Sequence, residues 1–158
     1  SPTYSGTTVG IATTSTASHF VSGSSEWLRL ILNDNTAVTT PWFVRLLSGD
    51  GVAAGNVATS KTGNLYIWLK TGSTGGTNAS VGLWVDDSDG TEQSSFLAIS
   101  NTTSVWTKYN WNLGTTTWTA AAGGNGALTA ATVTLDAVII KRDNGATAWT
   151  FYLDDIGN

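Results

Sequence analysis

A chain of 158 residues with 41% hydrophobic residues is sized for one domain that fills its core without a metal, and having no Cys it has no disulfide staples. The formal charge of −4 and only seven Lys and Arg, which do not cluster, argue against binding to a nucleic-acid phosphate backbone. No apolar run approaches the ~20 residues that carry a helix across a bilayer, and residues 1–10 lack the charged start and apolar middle of a signal peptide.

In chain order the apolar pattern has a period of two. A weak strand is predicted near residues 8–12. Residues 26–32 alternate a leucine face (Leu28, Leu30, Leu32) with Trp27, Arg29 and Ile31, and Trp42–Leu47 repeats the idea. Residues 64–70 put Leu65, Ile67 and Leu69 on one side and Tyr66, Trp68 and Lys70 on the other, while 80–86 set Val81, Leu83 and Val85 against Gly82, Trp84 and Asp86. These four segments read as neighbours in one architecture. Further strands are expected at 95–99, 105–111, 132–142 and 149–156. Turn signals fall at 48–51, 72–78, 86–90, 123–126 and 143–145. The small-residue stretch 115–134 reads as a long loop across the end of the sandwich, pinned by Trp118 and Leu128. No segment shows a sustained 3.6-residue pattern with caps, so helix is expected to be almost absent. The fold class that follows is all-β: residues 1–158 as a single two-sheet antiparallel β-sandwich of about nine strands, with jelly-roll topology.

Three phrases carry a resemblance. They are Asn64-Leu-Tyr-Ile-Trp-Leu-Lys70, Val105-Trp-Thr-Lys-Tyr-Asn-Trp-Asn-Leu113 and the close at Phe151-Tyr-Leu-Asp-Asp-Ile156. In this order they resemble the β-sandwich carbohydrate-binding modules of bacterial polysaccharide-degrading enzymes and surface proteins. The resemblance implies a noncatalytic module that holds a polysaccharide. It also implies a structural calcium, with Asp154 as the ligand and Asp155 ordering a turn; carboxylates suit that hard cation. The other reading of Asp154 is a carboxylate that caps loop amides. Residues 1–21 depart from the family pattern, because they contain no Asp or Glu where such modules often carry an acidic calcium ligand. A Thr-, Ser- and Gly-rich composition agrees with an extracellular or cell-surface location.

A sugar ring presents C–H patches on its faces and hydroxyls at its edges, so its site needs an aromatic platform with hydrogen-bonding groups beside it. Trp27, Arg29, Arg45, Tyr66, Trp68, Lys70, Trp84 and Asp86 are expected to share one sheet face and supply both. The competing reading makes these Trp residues core, but the Arg and Lys beside them oppose it, since an unpaired charge is costly in a core. Trp106 and Trp111 are an odd number apart and should face opposite ways, with at least one in the core. Trp118 sits where it can reach a ligand from the rim, and the acidic run 86–92 reads as a solvated turn.

Catalysis finds little support. His19 has no acidic neighbour or serine motif, Glu26 and Glu92 fall at strand ends or turns, and neither a zinc motif nor a nucleophile elbow is present. The alternative from another class is a structural subunit of an extracellular filament, tube or surface layer. Its basis is the uncharged, Thr-rich start of the segment from Ser1 to Ser25, which could self-associate by adding a strand to the next copy.

Overall fold

The computed structural model describes residues 8–15, 27–33, 42–47, 56–72, 79–142 and 149–158. Twelve strands make up the described secondary structure: β1 (Thr8–Ser15), β2 (Trp27–Asn33), β3 (Trp42–Leu47), β4 (Ala58–Ser60), β5 (Asn64–Thr71), β6 (Ala79–Asp86), β7 (Thr91–Ser94), β8 (Leu97–Ala98), β9 (Trp106–Asn112), β10 (Trp118–Ala122), β11 (Thr132–Arg142) and β12 (Trp149–Gly157). One sheet runs β1-β2-β12-β5-β9 and the other β10-β7-β6-β11-β3, with β4 and β8 attached to β11 and β6. Successive strands repeatedly change sheet, at β2 to β3, β5 to β6, β9 to β10 and β11 to β12, which is the jelly-roll sandwich the periodicity implies.

The alternation decides what goes inside. On β5, Leu65, Ile67 and Leu69 are at most 1% exposed and meet Val81, Leu83 and Val85 of β6, Tyr109 and Trp111 of β9, and Phe151 and Leu153 of β12 in one core. β11 contributes Val133 and Leu135, then Val138 and Ile140. That change of parity comes from a register shift against β6 between Leu135 and Ala137, which accommodates Asp136 as an extra residue.

The predicted strand bounds agree with the observed ones to within a few residues except in two places, and the short β4, which pairs with β11, was not predicted. Residues 95–99 were expected as one strand, whereas β7 ends at Ser94 and only Leu97–Ala98 forms β8. The expected loop 115–134 contains β10, whose small residues Thr119 and Ala120 pair with Gln93 and Glu92 at the sheet edge without contributing bulk to the main core. Trp118 and Leu128 do pin the stretch, packing against the main core. β1 is antiparallel to β2 of the same chain, so part of the proposed self-association segment is a sheet edge. Residues 1–7 and 16–26, with His19 and Glu26, and the turns at 48–51, 73–78 and 143–145 lie outside the described residues.

The acidic run is not simply a solvated turn. Glu92, on β7, is fully buried and accepts the amides of Asn125 at 2.6 Å and Gly126 at 2.9 Å. Asp87 accepts the amides of Ala130 at 2.9 Å, Ser88 and Thr129. Burial pushes the Asp87 carboxyl up, but the bonds from Thr129, Ser88 and Ala130 outweigh it and bring the group down to about 2. A carboxyl lowered on folding stabilises the fold above its unfolded pKa and loses that contribution as pH falls through the folded value. Unfolding by urea should therefore show a midpoint that falls between pH 4 and about 2, and Asp87→Asn should flatten that slope.

Candidate functional site

The outward face of the first sheet is built from rows in cross-strand register. Tyr152 stands opposite Arg29 on one side and Lys70 on the other, and Lys70 opposite Trp106. The next row is Asp154, Trp68 and Lys108, and the one after places Tyr66 between Gly157 and Asn110. Because Leu65, Ile67 and Leu69 take the core side of β5, Tyr66, Trp68 and Lys70 must take the other, where all three are half-buried.

Cations interleave with these rings. The Lys70 ammonium lies 4.8 Å from the centre of the Trp106 ring and 4.7 Å from that of Tyr152, and Lys108 lies 3.8 Å from the centre of Tyr66. Burial lowers the pKa of Lys70. Glycine allows two rings to lie close to the sheet: a β-carbon on Gly157 would fall 2.8 Å from the Tyr66 hydroxyl, and one on Gly72 would strike the Tyr152 ring. Among the described residues no lysine or arginine stacks on the half-buried Trp68 ring.

The expected eight-residue face is corrected by the topology. β2 and β5, with Trp27, Arg29, Tyr66, Trp68 and Lys70, belong to one sheet, and β3 and β6, with Arg45, Trp84 and Asp86, to the other. A period of two fixes which side of its own strand a residue takes, but not the sheet to which that strand belongs. Only the backbone positions of Trp27 and Arg29 are described.

The second sheet has its own outward cluster. Trp84 is 2% exposed beneath Phe96 and Ala121, with the Arg45 guanidinium 5.0 Å from its ring centre, and its indole N–H donates to Gln93 Oε1 at 3.2 Å. Asp86 accepts the Thr91 hydroxyl at 2.7 Å. Burial first, and then the charge of Asp86, push the Asp136 carboxyl up, while Arg45 pulls it down. Trp84 is thus a packed residue and not an open stacking surface.

Trp106 and Trp111 do face opposite ways, with Trp111 only 2% exposed and donating to the Ser95 carbonyl at 3.2 Å. Asp154 stands on the aromatic face opposite Trp68, and its Oδ1 accepts the amide of Asp155 at 2.8 Å. Asp155 has a positive φ of 46° inside β12, where the register against β5 shifts between Asp154 and Gly157. Among the described residues no three Asp, Glu or His side chains gather around a cation position.

Sequence reasoning missed Tyr152 and Lys108 as members of the face. Lys108 was open to detection, since it shares parity with Trp106 on one strand. Tyr152 was not, because its place beside Lys70 depends on the pairing of β12 with β5 across the length of the chain.

No family model matches the chain, and neither does any curated protein. Among solved structures, the family 30 carbohydrate-binding module of the cellulosomal cellulase Cel9D-Cel44B of Clostridium thermocellum is similar at a TM-score of 0.50 and 18% identity, over 96% of this chain and 88% of that one. A family 11 carbohydrate-binding module from Clostridium thermocellum, in complex with a β-1,3-1,4-mixed-linked tetrasaccharide, follows at a TM-score of 0.48 and 17% identity, over 96% and 85%. The similarity to the family 30 module, at 18% identity, is one of fold: this chain is a β-sandwich of the kind that module uses.

Proposed function

We propose that the chain is a noncatalytic carbohydrate-binding module, working outside the cell or at its surface, that holds a polysaccharide on the outward face of its first sheet. The observation that carries the reading is the half-buried Trp68 in a row between Asp154 and Lys108, with Tyr66, Lys70, Trp106 and Tyr152 around it. Trp68 supplies the apolar floor for a sugar ring, while the lysines and Asp154 supply donors and an acceptor for its hydroxyls. The shared sandwich with a carbohydrate-binding module supports this at the level of fold. The arrangement is one of binding: a glycosidase sets two carboxylates across a cleft, whereas here a carboxylate and lysines surround an aromatic floor.

Affinity electrophoresis through cellulose derivatives, mixed-linked β-glucan, xylan, mannan and algal glucans tests the proposal. At least one polysaccharide should retard the purified chain. Lys70→Ala should weaken that retardation by roughly threefold to tenfold, because it removes a hydrogen-bonding cation and frees two rings it now holds. Arg45→Ala, on the other sheet, should leave it unchanged. If no polysaccharide retards the chain, or if Arg45→Ala and not Lys70→Ala removes the effect, this face is not the site. The filament reading predicts ordered polymers of the purified chain; light scattering should find monomers.

A further inference from the structure

A cavity of about 390 Å³ opens where the turn after β9 meets the loop after β10. Its lining joins the buried Leu113 and half-buried Trp118 and Leu128 to Lys61 and the exposed Thr62 and Thr117. Trp118 is half-buried and oriented by its indole N–H, which donates to the Leu113 carbonyl at 3.2 Å. Lys61 spends one bond on the Thr129 carbonyl at 3.0 Å, and an ammonium has three protons to give. The cavity therefore combines an aromatic wall, an aliphatic end and a ring of hydroxyls with one cation.

The loop that forms one wall is held far more firmly than its composition suggests. Gly123 to Ala130 is rich in glycine and alanine, and both Gly123 (φ 75°) and Gly126 (φ 89°) have left-handed backbones. Such a stretch has little side chain with which to anchor itself, yet Glu92 fixes the amides of Asn125 and Gly126 from a fully buried position. Asp87 fixes Thr129 and Ala130, and Asn125 Oδ1 accepts the Ala127 amide at 2.9 Å. Burying a carboxylate to immobilise a glycine-rich wall makes the cavity preformed, which lowers the entropy lost when a ligand binds.

We infer that this cavity is a second glycan subsite, one that takes the terminal sugar of a chain; the inference rests on the carbohydrate-binding reading. Its size is at the lower end for small-molecule sites, of roughly 300–1,000 Å³, which suits one or two sugar rings and not a continuous chain. A terminal ring fits against Trp118 with its hydroxyls toward Lys61, Thr62 and Thr117. The outward face of the first sheet takes the length of a chain; the cavity takes its end.

The test is a titration of the ¹⁵N-labelled chain with cellohexaose, laminarihexaose and xylohexaose, read by amide resonances. At least one hexasaccharide should move the amides of Gly114, Thr117 and Ala127. Ala127 is exposed at the cavity, so Ala127→Phe should fill the mouth without disturbing the core and weaken this response at least tenfold. Lys61→Ala should weaken it severalfold. Movement of the Trp68 and Lys108 amides should survive both changes. The inference fails if no hexasaccharide moves the cavity amides, or if Ala127→Phe leaves their movement intact. Movement confined to the cavity amides would sink the sheet-face proposal and leave the cavity standing, while movement confined to Trp68 and Lys108 would do the reverse.

Discussion

Trp68→Ala should abolish the retardation of the chain by its polysaccharide while leaving the fold almost untouched. Trp68 is half-buried on the outward face of β5, between Asp154 of β12 and Lys108 of β9, with Leu69 and Ile67 on the opposite side sealing the core. Truncating a central aromatic in a binding face typically costs about 2 kcal/mol or more of affinity, roughly a thirtyfold loss. For a site that relies on stacking, which gives on the order of 1 kcal/mol per ring beyond burial, that takes binding below what a gel detects. The cross-strand packing that the indole supplies is worth only about 0.2–1 kcal/mol per pair to the sheet. Measured together, affinity electrophoresis should lose its signal while the thermal midpoint stays within a few degrees of the parent. Retention of binding in Trp68→Ala would mean that the ring is only part of the sheet's packing.

Glu92→Ala should cost the fold more than any substitution at an exposed polar residue. The carboxylate is fully buried beside β6 and β10, with Val85 and Ala120 as its register partners, and it holds the amides of Asn125 and Gly126. Removing it leaves two amides without their acceptor and opens a void, and the two effects together cost about 2–4 kcal/mol. For a domain of 158 residues this is a fall of roughly 5–15 °C in thermal midpoint, readable by calorimetry. Glu92→Gln keeps the shape and one acceptor oxygen but turns an NH2 toward the second amide, so it should restore only part of the loss. Equal midpoints for Glu92→Ala and the parent would show that the loop holds itself. The same substitution should loosen the wall of the Trp118 cavity, so hydrogen exchange at Asn125 and Gly126 should rise along with the drop in stability.

Most of the fold was legible because a β-sandwich writes a period of two into its sequence. Leu65, Ile67 and Leu69 read as core and are core; Val81, Leu83 and Val85 likewise. The pattern also separated Trp106 from Trp111, because parity on one strand is a local property. It failed at β10, where Ala120, Ala121 and Ala122 carry too little apolar bulk to betray a strand, and pairing with β7 at the sheet edge decides the matter. It failed at Glu92, whose charge suggested a solvated turn until the loop amides that satisfy it were brought alongside. The change of parity at Asp136 in β11 comes from a residue inserted against β6, which alternation alone does not show.

The candidate site divides along the same line. That Tyr66, Trp68 and Lys70 share a side was decided by the sequence, since side chains two apart on a strand cannot do otherwise. That Tyr152 and Trp106 flank Lys70, and that Arg45, Trp84 and Asp86 lie on the other sheet, was decided by strand pairing. Alternation is set by the local geometry of the backbone and is written residue by residue. Which strands become neighbours depends on how the whole set of apolar faces closes into one core, and no single segment contains that information.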